Sequence, residues 1–185
     1  FSKLFDEMPP QMDVEKLVVK AMIENTDPQK ALKNIPLILR RFYVQAYQSF
    51  LFNQTLSNAF LENEEIYAPQ GSDVCYDHKD SLGKFLKGAK QRLAIPIVGY
   101  SYYKKTRFDY YISKILEEEE ISPKDFFIKE MQELSNEGGF RQAIISCSSF
   151  SMNKNIVEFT LSRGSFATIL LREIMKPVNP INSGF

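Results

Sequence analysis

The sequence is poor in the side chains that build metal sites and nucleophile triads. In 185 residues it has one histidine, His78, two cysteines, Cys75 and Cys147, and no tryptophan. The cysteines are far apart and match no zinc-ligand spacing, so we expect no metal. A Ser-His-Asp or Cys-His site would have to use His78, and its neighbours do not resemble a nucleophile elbow. We therefore expect neither zinc chemistry nor triad hydrolysis.

The sequence also lacks long apolar runs and an excess of one charge. No apolar run reaches the roughly 20 residues that span a bilayer, and no signal peptide is recognisable. Lys and Arg number 23 and Asp and Glu number 23, so attraction to nucleic acid has to come from a local patch. These features favour a reduced, cytoplasmic protein with no membrane partner. Because the chain opens with Phe1 rather than Met, we expect a fragment of something longer.

What the chain does contain is typical of an ordered globular protein, with 44% apolar and 25% charged residues. Helical periodicity predicts a long helix over residues 37–61. The arc predicted to be buried includes Ile38, Phe42, Phe50 and Phe60. The narrow polar stripe holds Arg41, Gln45, Gln48 and Thr55. This stripe is either a solvated face or a set of ligand contacts, and the periodicity alone favours the solvated face.

A second pattern, after this helix, combines short strands with positive charge. Residues 74–76 and 92–95 are predicted to be strands, with turns at glycines. The basic residues of this region are Lys79, Lys84, Lys87, Lys90, Arg92, Lys104, Lys105 and Arg107. Tyr100, Tyr102 and Tyr103 lie among them, and a basic surface with aromatic rings suits a nucleic-acid backbone. A solvated loop region explains the same pattern about as well.

The remaining segment predicts helices and then a hairpin. Residues 107–118 form an amphipathic helix, and a second helix is expected to begin at Ser122-Pro123 and end before Gly138-Gly139. Residues 142–146 and 156–161 are predicted to pair as antiparallel strands across a turn at residues 152–155.

The last strand leads into a helix whose start is the most informative part of the chain. Ser165 is predicted to be the helix N-cap, and Pro177 ends the helix. Phe166 then lies at the helix start beside Arg163, where free backbone N–H groups can bind an anion and a ring can stack on a base. On shape alone, a buried core position is the commoner role for such a phenylalanine.

Composition and periodicity thus predict an α+β protein with a candidate RNA surface, but they assign no reaction to it. Two stretches go further. Residues 41–53 read Arg-Phe-Tyr-Val-Gln-Ala-Tyr-Gln-Ser-Phe-Leu-Phe-Asn, and residues 159–168 read Phe-Thr-Leu-Ser-Arg-Gly-Ser-Phe-Ala-Thr, followed by Leu-Leu-Arg-Glu at 170–173. Both resemble signature stretches of the TruD family of tRNA pseudouridine synthases, and Gly-Phe-Arg-Gln-Ala at 139–143 lies where that family has a Gly/Arg-containing strand start.

The resemblance implies a fold and a reaction. It implies a helix-rich insertion domain with short strands at 1–137, and at 138–185 a strand-hairpin-helix segment of the mixed-sheet catalytic domain. The family isomerises uridine to pseudouridine in tRNA without cofactor or metal. An aspartate attacks, the glycosidic bond breaks, and the base is rejoined through carbon after the uridine has left the stack.

The resemblance also assigns roles to residues. Phe166 falls on the family's substrate-binding phenylalanine, which reverses the preference for a core position. The other candidate RNA contacts are inferred from the residues and are not carried over from the family: Arg163, Arg172, Arg41, Gln45, Gln48, Lys104 and Lys105. The family's Gly-x-Lys-Asp motif with the nucleophile and its Asn-Tyr-Phe-Gly motif are both absent. Lys79-Asp80 matches only the dipeptide and lies after the helix signature, so no catalytic residue is expected in this chain.

Three hypotheses follow. In the first, the chain is part of a TruD-like synthase, is inactive alone, and has tRNA and the missing N-terminal half of the same protein as partners. In the second, it is a non-catalytic RNA-binding module, as the basic stretch and the missing aspartate allow. In the third, it is a protein-interaction domain with no RNA contact.

Overall fold

The structure is a computed structural model that describes residues 1–24, 27–103, 105–162 and 165–184. The α-helices are α1 (Ser2–Glu7), α2 (Asp13–Ile23), α3 (Pro28–Leu32), α4 (Leu37–Leu61), α5 (Asp109–Glu118) and α6 (Ala167–Met175). The strands are β1 (Val74–Tyr76), β2 (Leu82–Lys84), β3 (Arg92–Ile97), β4 (Gly139–Gln142), β5 (Cys147–Asn153) and β6 (Ile156–Leu161). The α+β class is confirmed, and the described helices include none long and apolar enough to cross a membrane.

Two antiparallel sheets form. One has the strand order β2-β1-β3-β4, and the other is the hairpin β5-β6. The predicted hairpin is confirmed, but its first strand is Cys147–Asn153 rather than residues 142–146. The strand nearest the predicted one, β4, instead pairs with β3, where Ala94 lies opposite Gln142 and Ile97 opposite Gly139. An apolar run of three residues did not reveal which of two sheets it would join.

The core lies between α4, α5 and β3. Leu51 and Phe52 from α4 pack with Ile95 of β3 and Ile112 of α5, and all four are buried. α5 begins two residues later than predicted, because the chain first makes a turn in which Asp109 accepts hydrogen bonds from the Thr106 backbone and hydroxyl. The predicted second helix is instead two 3-10 segments, Pro123–Phe126 and Lys129–Leu134.

The bounds of α4 match the prediction, but its rotation about its axis does not. Ile38 is 76% exposed, and Phe42, Phe50 and Phe60 are exposed as well. The buried face carries Gln48, Leu51, Phe52, Thr55 and Ala59. The predicted apolar arc therefore lies largely on the surface, and two members of the predicted polar stripe lie inside.

Hydrogen bonds explain how polar groups come to lie on the buried face. The Gln48 amide donates to the Val98 carbonyl at 2.7 Å, and the Thr55 hydroxyl donates to the Leu51 carbonyl at 2.8 Å. A buried polar group with a partner costs little, whereas one without a partner is expensive. Because both groups are paired, the helix can turn this face inward.

A close backbone approach joins the end of β3 to the start of β4. A Cβ atom on Gly99 would overlap the backbone of Gly138, Glu137 and Asn136. The Tyr100 N–H donates to the Asn136 carbonyl at 2.9 Å, so the two segments are also hydrogen-bonded there. Gly138 has φ +82°, a conformation that favours glycine. Both glycines are therefore required for β4 to reach β3.

We expect Gly99→Ala to destabilise the chain by about 1–3 kcal/mol, because the added methyl group forces two backbone segments apart. Gly83→Ala is the matched control, since Gly83 lies on exposed β2 and a Cβ there meets nothing within 4 Å. Urea unfolding followed by circular dichroism measures both. Equal midpoints for the two variants would show that the approach of Gly99 to Gly138 does not limit stability.

We expect Gln48→Leu to lower the free energy of unfolding by about 1–3 kcal/mol, because it leaves the buried Val98 carbonyl without its donor. Gln45→Leu serves as the control, since Gln45 is exposed one turn away on α4 and its replacement should change stability by less than about 0.5 kcal/mol. The same urea titration applies. If Gln48→Leu and Gln45→Leu had the same unfolding midpoint in urea, the rotation of α4 would not depend on this hydrogen bond.

Candidate functional site

The hairpin β5–β6 and helix α6 form the C-terminal unit that carries Phe166. Along β6 the side chains alternate between exposed and half-buried, as predicted for a strand with one apolar face. Ser162 and Ser165 then place their hydroxyl oxygens 3.0 Å apart. This contact lies directly before the start of α6.

Phe166 is the N-cap residue of α6, and its ring is 74% exposed. The prediction that Ser165 caps the helix is wrong, because α6 begins one residue later and has no side-chain cap. The core position that shape alone favoured is also excluded. The ring is free on this chain to meet another surface.

Helix α6 itself buries none of its residues, although Ile169, Leu170 and Ile174 give it an apolar face. Arg172 lies on this helix, with a guanidinium nitrogen 3.7 Å from Glu173. Lys176 also pairs with Glu173, at 2.5 Å, and that hydrogen bond lowers the pKa of the Glu173 carboxyl. Arg172 is therefore only loosely held and remains accessible to a ligand.

Two of the predicted contacts, Arg163 and Lys104, lie outside the described residues. Lys105 is exposed, with its ammonium 4.7 Å from the centre of the Tyr103 ring. This cation–π contact places a positive charge next to an exposed aromatic surface, the combination that the sequence predicted for this region.

The three predicted contacts on α4 lie in different environments. The Arg41 Nε donates to the Glu133 carbonyl at 3.0 Å, and Gln45 is exposed. Gln48 is 3% exposed, and its amide donates a hydrogen bond to the Val98 carbonyl. Gln48 is thus a structural residue in this fold, and we do not retain it as an RNA contact.

The basic stretch divides into two groups. Arg92 pairs with Asp80 at 2.5 Å, and Arg107 pairs with Asp73 at 2.9 Å and with Glu64. The lysines are exposed: Lys79, Lys84, Lys87 and Lys90. Since the arginines neutralise nearby carboxylates, the positive charge that a ligand would meet here comes from the lysines.

Sequence reasoning assigned no contact to Arg141. It lies on β4 with two guanidinium nitrogens 3.3 and 3.2 Å from the Ser49 hydroxyl of α4. The signal was present in the Gly-Phe-Arg stretch at 139–141, but nothing in that stretch indicates which partner the arginine has. Gln45 lies one turn from Ser49 on the same face of α4, so the fold brings one predicted contact next to this arginine.

Comparisons with known proteins agree along the whole chain. The sequence model of the family described as tRNA pseudouridine synthase D (TruD) matches residues 1–174. A relative from Pyrobaculum islandicum, named Probable tRNA pseudouridine synthase D, is 28% identical over 100% of this chain and 45% of its own length. One from Methanocaldococcus jannaschii, named Probable tRNA pseudouridine synthase D 1, is 30% identical over 95% of this chain and 42% of its own length.

A solved structure shares the fold. A crystal structure named Putative tRNA pseudouridine synthase D (TruD), from Methanosarcina mazei, superposes with a TM-score of 0.77 at 22% identity, covering 97% of this chain and 49% of that one. The chain thus spans less than half the length of the relatives it matches. Since the family model covers nearly every residue, the chain belongs to the tRNA pseudouridine synthase D (TruD) family.

Proposed function

We propose that this chain is part of a tRNA pseudouridine synthase and contributes RNA binding and one wall of the uridine pocket. The observation that carries the proposal is the exposed ring of Phe166 within Gly-Ser-Phe-Ala-Thr at 164–168. An exposed phenylalanine at the start of a helix is costly in water, and a flipped base is a flat surface that would cover it.

In this proposal the chain's own residues bind and orient, and the attacking carboxylate comes from the rest of the protein. Phe166 stacks on the extruded uracil, and stacking of this kind is worth ~1–3 kcal/mol per base. The C1′–N1 bond then breaks and the C1′–C5 bond forms. The C5 hydrogen leaves as a proton and N1 gains a proton, so that the product is an isomer of uridine. The family needs no cofactor or metal for these steps, and this chain lacks the nucleophilic aspartate motif.

The missing N-terminal half of the same protein is the proposed partner. Two surfaces support this. The apolar arc of α4, with Ile38 and Phe42, is exposed, and α6 buries none of its residues. An apolar surface of this extent on a soluble protein usually meets a partner. A tRNA substrate also agrees with the expected cytoplasmic location.

We also retain the division into an insertion domain at 1–137 and a catalytic-domain segment at 138–185 as a proposal. The pairing of β4 with β3 gives a reason to refine it, because the sheet of the first part continues to Gln142. We therefore propose that the junction follows Gln142. The remaining contacts proposed for RNA are Arg163, Arg172, Arg41, Gln45, Lys104 and Lys105.

One observation favours a second candidate, a non-catalytic RNA-binding module. Lys79, Lys84, Lys87 and Lys90 are all exposed, and they can bind RNA phosphates without any chemistry. Both candidates predict tRNA binding that weakens steeply with salt. Only the synthase predicts that the full-length protein, incubated with unmodified tRNA, releases tritium from C5-labelled uridine.

We expect Phe166→Ala in the full-length protein to reduce single-turnover pseudouridine formation by about 5- to 150-fold, the equivalent of the ~1–3 kcal/mol of one stacking ring. The affinity for tRNA should fall much less, because phosphate contacts dominate it. Phe150→Ala is the matched control, since Phe150 is a 51% exposed ring on β5 of the same unit.

Tritium release from labelled tRNA measures turnover, and filter binding measures affinity. Unchanged turnover in Phe166→Ala would remove this ring from the pocket. A wild-type protein that binds tRNA but releases no tritium would favour the binding module.

A further inference from the structure

We propose that Arg141, together with the Ser49 hydroxyl on α4, binds a backbone phosphate of the RNA. The proposal rests on the proposed function, since it names a contact for the same substrate. It adds a residue that neither the sequence pattern nor the family resemblance assigned.

Strand pairing directs Arg141 toward α4. In the antiparallel pair β3–β4, Arg141 lies directly opposite Ile95, and opposed residues project from the same face of a sheet. Ile95 is fully buried in the core with Leu51 and Phe52 of α4. Arg141 therefore extends along the rim of that core, and its guanidinium carbon lies 5.0 Å from the centre of the Phe52 ring.

The charge of Arg141 has no carboxylate partner in the described part of the chain. Its recorded contacts are the Ser49 hydroxyl, at 3.3 and 3.2 Å, and the Phe52 ring. A guanidinium has five N–H donors, so a single shared hydroxyl leaves most of them available. Burial lowers the pKa of Arg141, which is the direction expected for a partly desolvated cation that lacks an anion.

The other described arginines differ in this respect. Carboxylates lie within 4.0 Å of Arg40, Arg92, Arg107 and Arg172, through Glu133, Asp80, Asp73 and Glu173 respectively. Arg41 donates to a backbone carbonyl. Arg41 and Arg141 are thus the described arginines with no carboxylate within 4.0 Å, and of these two Arg141 is the one held by a ring and a hydroxyl.

This arrangement suits a phosphate. The planar guanidinium fork matches two phosphate oxygens, and its contacts with the Phe52 ring and the Ser49 hydroxyl restrict its movement before the ligand arrives. The Ser49 hydroxyl can turn to donate to the same anion. Gln45 and Asn53, one turn to either side of Ser49 on α4, are exposed and extend a polar track for the backbone.

The test compares tRNA binding by full-length wild-type protein and by Arg141→Gln from about 50 to about 200 mM salt. We expect the slope of log affinity against log salt to fall by about 1, because one phosphate contact is lost. Arg141→Lys should keep the slope but bind less tightly, since it keeps the charge and loses the fork. Lys114→Gln removes an exposed charge from α5 and should leave the slope unchanged.

Two further readouts separate the outcomes. At saturating tRNA the kcat for tritium release should be unchanged in Arg141→Gln while KM rises, because a phosphate contact adds binding energy and takes no part in the bond changes. An unchanged salt slope, with RNA-free protein that unfolds at lower urea, would mean that Arg141 pairs with a carboxylate of the N-terminal half and would overturn the proposal. If the wild type binds tRNA but makes no pseudouridine, the proposed function fails while the slope still tests Arg141.

Discussion

The hydrogen bond from the Gln48 amide to the Val98 carbonyl allows α4 to turn its Gln48 face inward, because the buried amide then has an acceptor. Once Gln48 faces inward, Leu51, Phe52 and Thr55 follow at helical spacing and form the buried face against β3 and α5. The opposite side of the helix then faces outward. The exposed apolar arc at Ile38 and the polar positions beside Arg141 are consequences of that one choice of face.

The sequence predicted the extent of this helix correctly and its orientation incorrectly, for a physical reason. The start near Pro36 and the length of α4 depend on local signals that a periodicity count captures. Its orientation depends on whether a buried amide finds an acceptor, and that acceptor lies 50 residues away in sequence. A helix with apolar residues on two sides offers no local signal for which side packs first.

The same distinction between local and distant signals explains the strands and the site. The hairpin was predicted because its signals, the turn at Lys154 and the alternation in β6, are local in the sequence. The pairing of β4 with β3 depends on the close approach of Gly99 and Gly138, which no pattern within residues 139–146 reveals. Likewise Arg107 and Arg141 count equally in the charge of the sequence. In the structure Arg107 pairs with the carboxylates of Asp73 and Glu64, whereas Arg141 contacts the hydroxyl of Ser49 and the ring of Phe52. Counting charges along the chain therefore overestimates how many arginines are available to a ligand, and it does not show which ones are.

Phe166 in the C-terminal unit and Arg141 on β4 are both exposed. Phe166 presents a ring without a base, and Arg141 presents a charge without an anion. Each is costly to maintain alone, because a ring in water and a partly desolvated cation both raise the free energy of the folded chain. An RNA with one base extruded offers a flat apolar face and a phosphate together. A substrate of that shape would relieve both costs in a single binding event, whereas the protein core relieves neither.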